Sequence, residues 1–306
     1  MSQSSVLVVG ATGQSGRAVV NQLVAEARPP RVLLRNQNQS EWFTANGCEV
    51  VIGDVTRPET LTAAMSGIDA VALFLGVGHD PKTKPSRLHD VEVVGGRNVI
   101  EAAMAGGRNP RIVYLSALAA GKVDYALPFT VKLETEGALR QSGLPHSILR
   151  PTTFTESIIG DFVKNGTANL AGKFPHPTSP ISVHDIARVA VNELDRGDDS
   201  GAVHELFGPE AMSYRDCIER WFTTTGKPVR FRSLPLGVFR VVARLASPFQ
   251  PMLPVIASLI RSFNELDWSG DPTQTAELVG EALLTVEQAA QWSTSPVGDR
   301  QPARRA

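Results

Sequence analysis

At 306 residues the chain can bury a sizeable core in one large or two modest domains. Thirty basic against thirty-one acidic residues leave a net charge of -1, without the basic excess of a dedicated nucleic-acid binder. No apolar run approaches the ~18 residues of a membrane span, and only Met1–Ser5 precede the first apolar stretch, so the reading is a soluble cytoplasmic protein without a leader. Cys48 and Cys217 form no CxxC pair and read as reduced thiols. The six histidines fall on different predicted elements without ligand spacing, which predicts no metal site.

Val6-Leu7-Val8-Val9 is the branched, wholly apolar run of a strand buried on both faces. Gly10, Gly13 and Gly16 follow at intervals of three, and an amphipathic helix begins at Arg17. Strand, glycine turn and helix together form the setting of a dinucleotide fingerprint, although the spacing is GxxGxxG rather than GxGxxG. Gly10 turns the chain off the strand, Gly13 leaves backbone open to a pyrophosphate, and Gly16 permits close helix packing. First-turn N–H groups then receive the phosphates, with Thr12, Gln14 and Ser15 beside them.

The second strand, Arg31–Leu34, ends at Arg35, about where the residue facing the adenosine ribose belongs. A guanidinium there, with no carboxylate through Gln39, suits a 2′-phosphate, so NADP(H) is expected in preference to NAD(H). A third strand runs Glu49–Val55. Its Asp54 can meet the adenine amino group or cap the helix that follows. The fourth strand, Ala70–Leu75, opens into Gly76-Val77-Gly78, small enough for a cofactor to approach closely; a polar loop from His79 to Ser86 follows. A long amphipathic helix, Arg87–Ala105, and a fifth strand, Pro110–Ser116, complete the alternation of a doubly wound parallel sheet.

Beyond the sixth strand, His146–Leu149, the chain emerges at Arg150-Pro151-Thr152-Thr153-Phe154. Residues 155–180 turn to Gly, Pro, Asn and Lys. A helix from Ile181 to Leu194 and a strand over Gly201–Phe207 look like a return to the sheet. Ser213 and Asp216 form a capping box for a helix ending near Thr223. Residues 234–263 hold an apolar segment broken by Pro248, Pro251 and Pro254 and interrupted by Arg240, Arg244 and Arg261. Proline-broken helices closing over an apolar substrate account for it, as does plain lobe core; a helix lying on a membrane surface is the less favoured reading. The polar tail, 294–306, reads as disordered.

The order Val8-Val9-Gly10-Ala11-Thr12-Gly13-Gln14-Ser15-Gly16, Gly53-Asp54-Val55, Tyr114-Leu115-Ser116, Lys132 and Leu149-Arg150-Pro151 resembles the NmrA-like group of atypical short-chain dehydrogenases/reductases. Later marks are Gly143–Pro151 and Val183-His184-Asp185-Ile186-Ala187. The group includes quinone oxidoreductases, isoflavone-reductase-like enzymes and NADP-sensing regulators.

The resemblance implies a Rossmann domain over 1–154, rejoined by 181–207, and a smaller, mostly helical substrate lobe from 155–180 and 208–293. It places Asp54, Val55, Leu75, Gly76, Pro151, Thr152 and Phe154 along the cofactor; Phe154 reads equally as core. Ser116 matches the family's active-site serine, and Lys132, sixteen residues on, its lysine. The family's tyrosine, four residues before the lysine, is replaced by Pro128, which donates no proton. Tyr125 and Thr130 are the nearby hydroxyls. Lys132 then manages a proton, orients the nicotinamide ribose, or simply pairs with Glu136 at i, i+4 on the helix surface. A reductase of a small apolar quinone-like or carbonyl acceptor is implied; the rival is an NADP(H)-responsive sensor without chemistry. The oligomeric state is not legible.

Overall fold

The computed structural model describes residues 5–78, 80–197 and 201–294. In chain order the first half runs β1 (Val6–Val9), α1 (Gln14–Ala25), β2 (Arg31–Leu34), α2 (Glu41–Ala45), β3 (Glu49–Ile52), α3 (Leu61–Met65), β4 (Ala70–Leu73), α4 (Ser86–His89), α5 (Gly95–Ala105), β5 (Arg111–Leu115) and α6 (Leu127–Gln141). Then come β6 (His146–Pro151), α7 (Thr155–Phe162), β7 (Val163–Lys164), β8 (Thr167–Ala171), α8 (Val183–Leu194), β9 (Gly201–Leu206), α9 (Tyr214–Thr224), β10 (Arg230–Leu234), α10 (Leu236–Ala246), α11 (Leu253–Glu265), α12 (Thr273–Val279) and α13 (Val286–Thr294).

Seven parallel strands form one sheet in the order β3-β2-β1-β4-β5-β6-β9. β1 shows why it sits at the centre. Its alternate side chains feed two cores. Val6 and Val8 pack with Val19 and Leu23 of α1 and Val189 of α8, while Leu7 and Val9 pack with Met65 of α3 and Val99 of α5. Each such side chain, fully buried, contributes roughly 1.5–3 kcal/mol. α8 starts on Ser182, whose Oγ accepts the His184 N–H, and lies against α1. It delivers β9 to the sheet edge beside β6.

A smaller sheet, β10-β8-β7, pairs β8 with β10 in parallel across some sixty residues of chain. It encloses a further core, in which Phe162, Phe174 and Tyr214 pack edge-on or tilted. The α9 helix begins on the capping box of Ser213 and Asp216.

Two strands stop earlier than their apolar runs suggest. β3 ends at Ile52, opposite the last residue of β2, Leu34, and β4 ends at Leu73, opposite Val9 of β1, where Gly10 turns away. Phe74 N–H still donates to Val9 O, but the Leu75 carbonyl is past the ladder and open to a side chain. The long helix expected over 87–105 runs from Ser86 to Ala105 with a π-helical stretch over Asp90–Val94. His79 and the tail 295–306 lie outside the described residues.

Candidate functional site

Strand order reverses between β1 and β4, and a crevice opens at the carboxyl ends of a parallel sheet wherever this happens. Here it is a cleft of about 790 Å³, large enough for a dinucleotide and a small acceptor. Its floor is the glycine loop. Gly10 has φ +87°, and a Cβ there would lie 2.0 Å from Phe74 O. A Cβ on Gly16 would lie 2.2 Å from Gly10 O, so the first turn of α1 presses on the loop backbone. Gly16 itself does not line the cleft; it sets the loop's shape.

Gly10, Thr12, Gly13, Gln14 and Ser15 do line it. Gly13 is the N-cap of α1 with no side-chain cap, which leaves first-turn N–H groups at the cleft's edge. Such a backbone cradle, where a Cβ has no room, fits a pyrophosphate. The Ser157 hydroxyl of α7 donates to Gln14 Oε1 at 2.9 Å, tying the loop to the opposite wall.

One end of the cleft is polar. Arg35 stands exposed just past β2, and Asp54 past β3. Asp54 does not cap α3. Its Oδ1 accepts from Thr56 N–H at 2.9 Å and Thr56 Oγ at 2.8 Å, closing a local turn. Partial burial pushes this carboxyl up, but the Thr56 bonds and the nearby Arg87 and Arg35 charges outweigh it and hold the group below its ordinary value. Val55 is buried against Gly95, with its carbonyl taken by Asn98 Nδ2.

At mid-cleft, Lys132 of α6 departs from the surface pairing open to it in sequence. Its Nζ donates to the carbonyls of Leu75 (3.0 Å) and Leu115 (2.8 Å) and forms an ion pair with Glu92 Oε1 at 2.8 Å. All three ammonium hydrogens therefore have acceptors. Lys132 also lies 5.1 Å from the Tyr114 ring centroid, and the Tyr114 hydroxyl donates to Glu92 Oε2 at 3.2 Å.

Glu136 is engaged elsewhere. Arg150 forks onto it at 2.9 and 2.6 Å, Arg140 binds it at 2.8 Å, and the Ser116 hydroxyl donates to it at 2.6 Å. Burial raises the Glu136 carboxyl, yet these donors, Arg150 foremost, win and leave it below its ordinary value. Ser116 thus reaches the cleft with its proton committed.

Gly76, Pro151, Thr152 and Phe154 line the same cleft. Thr152 Oγ donates to Trp268 O at 2.7 Å. Phe154 is both wall and core, packing on the cluster beneath the sheet. Pro128 lies on the lining where the family phenol is missing. Tyr125 is not brought there. It sits outside the lining, with its hydroxyl on Glu265 at 3.0 Å and the Arg261 guanidinium over its ring.

The far wall is apolar: Met252 just before α11, Val255, Ile256, Leu259 and Phe263 within it, and Trp268. Glu92 is the residue that sequence reading missed. The π-helical stretch turns this carboxylate inward until it is 1% exposed. An acid inside an otherwise regular amphipathic run gives no local signal. Among the described residues, no group of three or more His, Cys, Asp or Glu is placed to hold a metal ion.

A switch-point cleft over a glycine loop defines a dinucleotide-binding α/β protein. The family model described as NAD(P)H-binding matches residues 10–196, and the chain belongs to that family, in its NmrA-like, atypical short-chain dehydrogenase/reductase branch.

The (4-alkanoyl-5-oxo-2,5-dihydrofuran-3-yl)methyl phosphate reductase of Streptomyces griseus is 33% identical, over 84% of this chain and 85% of its own. The photosystem II assembly factor Ycf39 of Cyanophora paradoxa is 26% identical over 80% and 76%. Among solved structures, the NADPH-dependent quinone oxidoreductase of Escherichia coli, complexed with NADPH, superposes with a TM-score of 0.75 at 22% identity, over 95% of this chain and 100% of that one. The triphenylmethane reductase of Citrobacter sp., complexed with NADP(H), gives 0.74 at 22%, over 94% and 99%. Likenesses at that level of identity speak for the fold.

Proposed function

We propose that this protein is an NADPH-dependent reductase of an apolar, quinone-like or carbonyl acceptor. One observation carries the reading. A single cleft joins a glycine-loop cradle at one end to the apolar wall of α11 at the other, with Lys132 between them. The names of similar proteins point the same way, since they include reductases of a furanone phosphate, quinones and dyes.

On this reading residues 1–154 and 181–207 hold the dinucleotide, and 155–180 with 208–293 hold the acceptor. Gly10, Thr12, Gly13, Gln14 and Ser15 receive the diphosphate, with Gly16 fixing the loop, and Arg35 takes the 2′-phosphate. Asp54 and Val55 flank the adenine. Leu75, Gly76, Pro151, Thr152 and Phe154 border the nicotinamide half. A bound reduced nicotinamide supplies the hydride.

Lys132 acts as an orienting group. Its three donors are spent on Leu75, Leu115 and Glu92, so it serves a ribose hydroxyl by giving up a carbonyl. Ser116 keeps a lone pair for substrate while its proton rests on Glu136. With Pro128 in place of a phenol, an acceptor whose reduced form takes protons from water suits the site best.

A binding protein that reports NADP(H) without chemistry is the second reading. Pro128 on the lining favours it, as do relatives named as assembly factors. NADPH oxidation against a panel of quinones, azo and triphenylmethane dyes and carbonyls separates the two. Turnover on an apolar acceptor supports the reductase. Tight NADPH binding with no turnover on any acceptor replaces it with the sensor.

A further inference from the structure

The α10 helix carries its apolar residues on the wrong side for a protein core. Leu236, Phe239, Ala243 and Ala246 face inward, and α10 packs on α11. Val238, Val241, Val242 and Leu245, at i, i+3, i+4 and i+7, form a second apolar stripe that is exposed by 48, 58, 49 and 74%. Phe249, in the turn that follows, is 84% exposed. Six of the eleven large apolar residues exposed among the described residues fall within Leu234–Phe249. That is a contiguous patch rather than scatter.

Its charge is as one-sided as its hydropathy. The chain as a whole carries -1, yet residues 220–264 contain seven Lys or Arg and no Asp or Glu. Arg240 and Arg244 flank the exposed stripe one turn apart. Neither forms an ion pair among the described residues, although Arg240 lies close enough to Glu265 to help lower that carboxyl. An exposed apolar ridge edged by unpaired arginines is complementary to one surface: hydrocarbon beneath a layer of negative charge. At eleven residues α10 spans about 16 Å, far short of crossing a bilayer, and among the described residues no helix is long and apolar enough to do so. A second copy of this chain in an antiparallel two-fold contact through this face fits poorly, because it brings the arginines of both copies to one seam.

We propose that α10 and the turn through Phe249 dock this protein in-plane on an anionic lipid surface. The consequence reaches the cleft, because α11, against which α10 packs, supplies the cleft's apolar wall. A lipid-dissolved acceptor then arrives where the wall opens. That consequence rests on the reductase reading; the docking does not.

The test is sedimentation of the full chain with vesicles of phosphatidylglycerol and phosphatidylcholine in equal parts, against phosphatidylcholine alone, with no turnover measured. The expected result is binding to the anionic vesicles that weakens with salt. Arg240→Gln with Arg244→Gln lowers it roughly 20-fold, and Val241→Glu with Leu245→Glu lowers it by about tenfold or more. Circular dichroism confirms that these surface variants stay folded. In a separate Phe249→Trp variant, emission shifts to the blue on anionic vesicles and is shielded from acrylamide. Absence of wild-type binding to anionic vesicles overturns the proposal, as does undiminished binding of Val241→Glu/Leu245→Glu. A dimer, or a complex with another protein, that Leu245→Glu dissolves while no lipid binding is seen assigns the face to that partner and also overturns it.

Discussion

Replacing Lys132 with methionine keeps the aliphatic stem and removes the charge. Three contacts are lost: Glu92 Oε1 at 2.8 Å, Leu115 O at 2.8 Å and Leu75 O at 3.0 Å. The larger effect falls on the partner left behind. The Glu92 side chain is 1% exposed and keeps only the Tyr114 hydroxyl, at 3.2 Å, as a side-chain donor. Stranding one member of a buried pair costs about 3–5 kcal/mol, and the 13% exposure of Lys132 places this case near 3 kcal/mol. Glu92→Gln retains an acceptor and costs about 2 kcal/mol. Since each single variant strands the other's group, Lys132→Met/Glu92→Gln loses less than the sum, with a coupling of about 2 kcal/mol. Urea unfolding of the four proteins measures this, and NADPH affinity measured alongside shows Lys132→Met weakened. A Lys132→Met protein within about 0.5 kcal/mol of wild type, or an additive cycle, refutes the reasoning.

Gly16→Ala drives a Cβ onto backbone atoms, 2.2 Å from Gly10 O and 2.8 Å from Gly10 C, so the loop itself must move. The expected loss is about 1–3 kcal/mol of stability, with dinucleotide affinity, read by calorimetry, falling further than stability alone explains. Burial pushes the Asp185 carboxyl up from 3.8 to about 7, against the Leu284 N–H and Arg188, so its protonated form favours the fold. That contribution is complete below about pH 4 and is lost as pH rises through 7. Asp185→Asn therefore matches wild type at acid pH and exceeds it at pH 8 by at most about 4 kcal/mol in urea unfolding. Equal pH slopes for the two proteins contradict the assignment.

Much of the dinucleotide half was legible because its signals are local. An unbroken branched run, a glycine turn and a helix identify β1 and α1 within a few residues, and Arg35 and Asp54 follow from where strands end. The Ser213–Asp216 box is similarly self-contained. What stayed hidden depends on distance. β8 and β10 are short and partly polar, and they pair only after some sixty intervening residues bring them together. Glu92 is buried by a π-helical stretch that no periodicity announces, and without it Lys132 looks like a surface partner of Glu136. Tyr125, near Lys132 in sequence, is drawn off by Glu265 and Arg261, which arrive from α11. The exposed stripe of α10 is the reverse case. Its residues read as helices closing over a substrate, as lobe core or, less favoured, as a membrane-surface helix, because sequence shows an apolar pattern but not which side is covered.

The most direct test of the central claim is calorimetric titration of wild type and Arg35→Ala with NADPH and with NADH. The account predicts one-to-one binding, NADPH tighter in wild type, and a roughly 10- to 150-fold loss for NADPH alone when the guanidinium is removed. Equal weakening of both dinucleotides contradicts the role of Arg35, and retention of neither by wild type contradicts the account as a whole.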